Sequence, residues 1–310
     1  MVDSRLTTLL SAWDDQPGEE LVRNRASLTA EYMAFFRALE SLGAPGSQLF
    51  DDPFAAMFLS GRRKWLYQMA RLGWGRRLVE GLLDGGAPGA RVAGIARTKW
   101  IDDEVTSALE AATQLVLLGA GFDTRAFRLP PRASAITFEL DHPETSSAKQ
   151  AALRKAIGSL PDRVRFVTID FNHQSVAEVL ARAGFDQTQP ACFVWEGVTN
   201  YLTAEAIDSV LRQVRQSSRG SVLIFTYIDR GVLDHPERFF GAAKVMARLR
   251  EYGEPWTFGI HPEELSTYLA DRGLKLLANL SVAESWARLG RSSSGARGYE
   301  FYRLATARVS

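Results

Sequence analysis

Leu115-Val116-Leu117-Leu118-Gly119-Ala120-Gly121-Phe122-Asp123-Thr124 reads as a short apolar strand that breaks directly into a glycine-bearing turn. Four consecutive apolar residues suit a strand buried on both faces. Glycines at 119 and 121 let a ligand approach the main chain, and a helix N-terminus is expected to follow. An ordinary tight turn has the same composition, so the stretch needs support from its surroundings. The dinucleotide fingerprint would place a third glycine at 124, where this chain has Thr124. That counts against a nicotinamide-dependent dehydrogenase.

Downstream, strands alternate with helices. Residues 135–140 are the next strand, and Pro143 opens a helix through Lys155. Strands follow at 164–169, 192–195 and 221–225. Between them lie a helix at 175–183, stopped by Gly184, and one capped by Thr203. In the latter Ile207, Val210, Leu211 and Val214 share a face. Residues 229–259 interrupt the rhythm with Phe239, Phe240, Tyr252, Trp256 and Phe258, and read as a lid over the open end of the sheet. A helix at 262–271 and strands near 274–280 and 299–304 complete the pattern. The expected fold is α/β, a doubly wound, mostly parallel Rossmann-like sheet.

Upstream the pattern is helical. Leu28, Tyr32, Phe35, Leu39 and Leu42 fall on one face, and Gly43, Pro45 and Gly46 stop that helix. A second apolar helix should start at Asp52-Pro53. Gly85-Gly86-Ala87-Pro88-Gly89 reads as a turn or joint, and 97–112 as a helix leading into the sheet. The expected division is a helical cap over 1–112 and a ligand-binding domain over 113–310, with the lid insertion at about 229–259.

The chain has 310 residues, 46% of them hydrophobic, a formal net charge of +1 and a single cysteine, Cys192. This length buries a large core without staples. Near-neutral charge argues against a nucleic-acid partner, and one cysteine excludes an intramolecular disulfide and a cysteine-rich metal site. No metal ligand set is evident. No apolar run approaches the ~20 residues of a membrane span. The start of the chain is acidic at Asp14, Asp15, Glu19 and Glu20, unlike a signal peptide. The expectation is a cytoplasmic protein with no membrane partner and an open oligomeric state.

Four strand ends carry candidate chemistry. The first is Gly119-Ala120-Gly121. The second is Glu139-Leu140-Asp141, where alternation points both acids the same way and either could accept ribose hydroxyls. Asp141 lies closer to the open end, although Pro143 also makes it a candidate for the helix start. The third is Asp170-Phe171, suited to an adenine amino group and ring, or simply to a loop cap. The fourth is Glu196, suited to the ammonium of an amino-acid-like cofactor, or a solvated strand-end acid.

Together, Gly119-Ala120-Gly121-Phe122-Asp123-Thr124-Arg125, Phe138-Glu139-Leu140-Asp141 with Lys149, Asp170-Phe171, and Glu196-Gly197-Val198-Thr199-Asn200-Tyr201-Leu202 resemble the leucine carboxyl methyltransferase family. The chain is most similar to its bacterial branch of S-adenosylmethionine-dependent O-methyltransferases. Leu49-Phe50-Asp51-Asp52-Pro53-Phe54-Ala55 and Ala96-Arg97-Thr98-Lys99-Trp100-Ile101-Asp102-Asp103 share the resemblance, which runs from about Leu28 to Tyr227. It implies a class I methyltransferase fold with S-adenosyl-L-methionine as cofactor. By position, Arg97 would hold the cofactor carboxylate, and Gly119, Ala120 and Gly121 would pack on its aminoacyl part. Asp141 would take the ribose, Asp170 and Phe171 the adenine, and Glu196 would sit near the ammonium and sulfonium. Eukaryotic members contact the cofactor with an N-terminal lysine, whereas this chain has Ser27-Leu28-Thr29-Ala30-Glu31-Tyr32.

The acceptor is expected to be a small molecule, with a carboxylic acid favoured. A carboxylate is ionised at neutral pH and needs no general base, whereas an alcohol or phenol does. His142, His173, His235 and His261 have no recognisable catalytic partner in sequence, and no catalytic residue is assigned. Arg37 or Arg125 could bind an acceptor carboxylate, although a structural ion pair is the simpler role for each. Arg62-Arg63-Lys64 and Arg76-Arg77, among Trp65, Tyr67 and Trp74, admit a membrane or RNA surface, although a solvated helix face is the simpler reading. The aromatics of 54–74 and 239–258 suggest an apolar or aromatic acceptor if they line a pocket. The competing functions are a nicotinamide-dependent dehydrogenase and a noncatalytic nucleoside-binding protein with a protein partner.

Overall fold

A computed structural model describes residues 26–129, 135–171, 173–251, 253–290 and 297–310. The acidic start of the chain, the side chain of Leu28 and the aromatic at 252 lie outside the described residues. Helices α1 (Ala26–Glu40), α2 (Gly61–Ala70), α3 (Gly75–Gly86) and α4 (Ala90–Ala108) precede the sheet. Then come β1 (Gln114–Leu118), α5 (Arg125–Arg128), β2 (Ile136–Asp141), α6 (Pro143–Ile157), β3 (Val164–Thr168) and α7 (Val176–Arg182). They are followed by β4 (Ala191–Trp195), α8 (Ala204–Gln216), β5 (Val222–Ile228), α9 (Gly231–Asp234) and α10 (Ala242–Glu251). The described chain ends with α11 (Leu265–Ala270), β6 (Leu274–Ser281), α12 (Val282–Arg288) and β7 (Tyr302–Val309).

Seven strands form one sheet in the order β3-β2-β1-β4-β5-β7-β6, with β1 to β5 parallel and β7 antiparallel to both neighbours. The apolar runs explain the layering. Leu115, Leu117, Cys192, Val194 and Ile224 point to one face, where Ile101, Val105 and Leu109 of α4 cover them. Their alternates Val116, Leu118, Phe193, Leu223 and Phe225 point to the other, against α7 and α8. The face of α8 that carries Ile207, Val210, Leu211 and Val214 is buried, and the Thr203 hydroxyl caps the helix by accepting from the Ala206 amide. Chain order reverses between β1 and β4, so their carboxyl ends form the switch-point crevice where sheets of this kind bind ligands.

Several boundaries differ from the sequence reading. Residues 55–58 form only a short 3-10 turn, because the Asp52 carboxylate caps the Phe54 and Ala55 amides and no long apolar face follows. Helix α3 runs through Gly85 and Gly86, and the joint is confined to 87–89, where Gly89 has φ +88°. Helix α4 begins at Ala90 rather than 97. The last strand starts at Tyr302 and continues to Val309, three residues later than its aromatic run suggests. The helix expected over 262–271 is shorter, spanning Leu265–Ala270.

Under the crevice, Glu139 and Lys149 form a fully buried ion pair at 2.7 Å, 2% and 1% exposed. Burial pushes the Glu139 carboxyl up to about 7, although Lys149 pulls the other way. A folded pKa above the unfolded one favours the native state at low pH, and that contribution is lost as pH rises from about 4.5 to 7. Lys149→Met should therefore cost about 3–5 kcal/mol at neutral pH or above, where the abandoned carboxyl must be protonated or stay charged and unpaired. The loss should shrink at pH 5, where a neutral carboxyl is tolerated. Urea unfolding at both pH values checks this; equal losses would refute it.

Candidate active site

The turn after β1 is built for close approach. Gly119 and Gly121 have φ of +70° and +45°. A Cβ on Gly119 would lie 2.5 Å from the Val198 side chain, and one on Gly121 3.3 Å from Ala30 of α1. The Gly119 and Ala120 amides both donate to the Leu140 carbonyl, locking the turn onto β2. The Asp141 carboxylate closes it, accepting from the Gly121 amide and, at 2.6 Å, from the His142 amide. Burial raises the Asp141 pKa against the pull of these two donors. Of the two acids on β2, Glu139 is consumed by Lys149 beneath the sheet edge, so only Asp141 is presented to the crevice.

The neighbouring strand end carries Asp170 and Phe171. The Asp170 carboxylate is half-exposed and holds His173 Nδ1 at 2.8 Å. Phe171 packs on the core cluster beneath α7 and α8. Register places Asp141 opposite Thr168, and the Ile169 amide donates to the Asp141 carbonyl, so the two acidic strand ends are adjacent.

On the far side of the glycine turn, Glu196 ends β4. Arg97 Nε and Arg125 Nη1 each donate to it at 2.6 Å. Burial would raise its pKa, but Arg125 and Arg97 outweigh burial and hold it down at about 2. Arg97 also donates to the Tyr302 hydroxyl at 3.0 Å, and its guanidinium lies 5.2 Å from that ring's centroid. Arg125 further pairs with Asp102 at 2.7 Å and Asp123 at 2.6 Å. Arg128 pairs with Asp102 at 2.6 Å and approaches Asp52 at 3.8 Å, and Arg37 holds Asp52 at 2.7 Å. Arg37 also donates to the Phe122 carbonyl, and Thr124 to Asp52. Four arginines and four carboxylates thus form one continuous chain under the glycine turn. Arg37 and Arg125 are therefore structural, and neither is free to bind an acceptor.

Beyond Arg97 and Gly197 the crevice opens into a cavity of about 1010 Å³, its open mouth included. Tyr32, Met33 and Phe36 of α1 form one wall, and Gly86, Ala87 and Ala90 a second. Lys244, Val245, Arg248 and Leu249 of α10 form a third, at the helical spacing of a single face. Asn200, Tyr201, Trp256, Tyr299 and Tyr302 complete the lining. Of the described aromatics of 229–259, Trp256 alone lines the cavity. Phe239 packs on Phe301, Phe240 lies under Arg297, and Phe258 packs on Tyr268 in the core on the other side of the sheet. None of the four histidines lines the cavity: His142 starts α6, and His173, His235 and His261 face Asp170, Glu237 and Asp229.

Sequence reasoning missed Tyr299, Tyr302, Lys244 and Arg248. The spacing of Lys244-Val245 and Arg248-Leu249 was the available signal for the last two. Tyr299 and Tyr302 lay inside a run that reads as strand.

The family model for leucine carboxyl methyltransferase matches residues 30–215. The chain belongs to that family. A proposed S-adenosyl-L-methionine-dependent methyltransferase of Mycobacterium sp. strain KMS is 33% identical over 193 residues, which is 57% of this chain and 60% of that protein. The chain thus spans about three fifths of that relative. Another, from Mycobacterium tuberculosis strain H37Rv, is 29% identical over 284 residues, 85% of this chain and 88% of the relative. Among solved structures, a proposed methyltransferase from Thermobifida fusca superposes with a TM-score of 0.52 at 17% identity, covering 88% of this chain and 94% of that one. A DUF574 family protein from Streptomyces avermitilis gives 0.52 at 15%, covering 76% and 91%. The fold is the Rossmann-like fold of class I methyltransferases.

Because Glu196 is held well below the usual carboxylate range, its contribution to stability is present above its unfolded value and is lost as pH falls from about 4.5 through 2. Glu196→Gln should remove about 3 kcal/mol at pH 7 and flatten the stability profile across that acid window. Urea unfolding titrated against pH checks both. A variant with the wild-type acid slope would show that Glu196 is not the group responsible.

Proposed function

We propose that the chain transfers a methyl group from S-adenosyl-L-methionine to a carboxylate oxygen of a small apolar or aromatic acid. One observation carries this reading: the strand-end groove from Asp170 through Asp141 and the glycine turn leads, at Arg97 and Gly197, directly into an aromatic cavity.

The residues fit the cofactor. The positive-φ turn leaves backbone where side chains would intrude, suited to Gly119, Ala120 and Gly121 packing on an aminoacyl group. Arg97 and Glu196 sit side by side with opposite charges, matching the carboxylate and ammonium of a zwitterion. Asp141, preset by two backbone donors, would accept from the ribose hydroxyls, and Asp170 and Phe171 at the adjacent strand end would take the adenine. When bound, the cofactor supplies an electrophilic sulfonium methyl.

The chain's own task is then to bind, orient and dry the acceptor. Burial raises the pKa of Tyr201 and of Tyr299, so these phenols stay protonated and serve as donors rather than bases. With no histidine in the lining, an acceptor already ionised at neutral pH fits better than an alcohol. Lys244 and Arg248 add cations at the α10 wall. Tyr299 is 4% exposed, its ring is stacked on Phe301 at 4.7 Å, and its hydroxyl has no partner among the described residues. A buried donor of that kind is satisfied when a bound acceptor offers an oxygen.

Three outcomes follow. Calorimetry with S-adenosylhomocysteine should show Asp141→Ala weakening binding about tenfold or more, and Asp170→Ala by less, because Asp170 is half-exposed and already shared with His173. Wild-type affinity for Asp141→Ala would remove the ribose assignment. Incubation of a metabolite extract with methyl-labelled cofactor should give a product that releases labelled methanol in alkali, as an ester does. An alkali-stable product would mean a hydroxyl acceptor, and cofactor binding without any transfer would favour the noncatalytic reading. With the product identified, Tyr299→Phe should raise the acceptor KM about fivefold or more without loss of stability or cofactor affinity; an unchanged KM would remove Tyr299 from the acceptor site.

A further inference from the structure

Helices α2 and α3 form a hairpin whose outer surface is not used by the fold. Its inner side is Arg63, Leu66 and Ala70 on α2 and Gly75, Val79 and Leu83 on α3, all buried. Its outer side carries Trp65 at 49% exposure, Leu72 at 52%, Trp74 at 67% and Leu78 at 43%. These are four of the six large apolar side chains exposed among the described residues, gathered within fourteen positions. Their spacing is helical on each arm: Lys64, Trp65 and Gln68 on α2, then Trp74, Arg77, Leu78 and Gly81 along α3. The turn between the arms is tight. The Gly75 amide donates to the Leu72 carbonyl at 2.8 Å, and a Cβ on Gly75 would lie 2.0 Å from the Met69 carbonyl oxygen. Leu72 and Trp74 are thereby held at the tip.

The charge on this surface has one sign. Residues 61–79 hold Arg62, Arg63, Lys64, Arg71, Arg76 and Arg77 and no acid, in a chain whose net charge is only +1. Arg63 is taken by Glu31, and Arg76 by Glu80 and Glu40. Lys64, Arg71 and Arg77 are exposed around the tryptophans and leucines, and Arg71 donates to the neutral Gln68 side chain at 3.1 Å. The nearest acids on the packed elements, Glu80 and Asp84, are paired with Arg76 and Arg91.

We propose that the outer face of this hairpin docks onto an anionic lipid bilayer, with Trp65, Leu72, Trp74 and Leu78 entering the headgroup layer and Lys64, Arg71 and Arg77 facing lipid phosphates. Tryptophan beside lysine and arginine on an amphipathic surface is the combination that settles at a bilayer interface. A second copy of the same cationic face would be repelled by it. A purely solvated face explains the basic residues but not two tryptophans held outside the core. The contact is peripheral, since no described helix is long and apolar enough to cross a membrane.

Flotation of the full chain with vesicles tests the proposal. Phosphatidylcholine vesicles containing roughly one third phosphatidylglycerol should carry the protein, pure phosphatidylcholine should carry at least about tenfold less, and added salt should release it. Lys64→Gln with Arg77→Gln should weaken binding about 25-fold, at about fivefold for each charge removed. Trp74→Ala should weaken it about tenfold, while Leu277→Ala, which removes an exposed leucine elsewhere, should leave it unchanged. All these side chains are exposed, so melting temperatures should match the wild type. The proposal falls if the anionic vesicles do not bind the protein, if both lipid compositions bind equally, or if Trp74→Ala changes only self-association in size-exclusion chromatography.

Discussion

The arginine–carboxylate chain beneath the glycine turn is the constraint on which the rest depends. Buried charges are costly to desolvate and are tolerated only when each finds its partners with good geometry. Here Asp52, Asp102, Asp123 and Glu196 are matched by Arg37, Arg97, Arg125 and Arg128, most of them at 2.6–2.7 Å. The partners come from α1, the 52 turn, α4, the β1–α5 connection, α5 and the end of β4. No one of these elements can shift without leaving another element's charge stranded. Helices α1 and α4 are thereby registered against the crevice by polar geometry, alongside the apolar packing of their other faces.

That registration shapes the site. Ala30 of α1 closes over Gly121, and Tyr32, Met33 and Phe36 on the same helix form a cavity wall. Arg97 belongs to both regions, paired with Glu196 on the ionic side and lining the cavity on the other. The boundary between a polar groove and an aromatic chamber is therefore a single guanidinium. Water exclusion and charge recognition meet at one residue whose position the whole chain of ion pairs fixes.

The sheet was legible in the sequence because its signals are local. Apolar runs, the stops at Gly184 and Gly273, and the caps at Pro143 and Thr203 act within a few residues. The four strand-end signals were legible for the same reason, each closing a recognisable strand. The ionic chain was not, since all its pairs except Arg125 with Asp123 lie from 15 to 99 residues apart and an arginine has no sequence mark for what it faces. The packing of residues 229–259 was less legible. Aromatic content marked 229–259 as unusual, but Trp256 and Phe258, two residues apart, pack on opposite sides of the structure. The start of β7 was misplaced because Tyr299, Phe301 and Tyr302 have strand-like composition, whereas Tyr299 is wedged between the two close-packed glycines Gly89 and Gly241.

The reversed direction of the last strand has a consequence for how such a protein can diversify. Because β7 runs against β5, its first residue, Tyr302, lies opposite Ile228 at the ligand edge of the sheet. The segment leading into β7, with Tyr299, thus enters the chamber from a part of the chain that supplies nothing to the glycine turn, Asp141 or Asp170. On the proposed assignment the nucleoside end would draw on residues 119–171, whereas the chamber is lined largely by α1, α10 and this late segment. Selectivity for the acceptor can therefore change by substitutions that never touch the cofactor's half of the crevice. Arg97 and Glu196 are the point where the two inheritances must remain compatible.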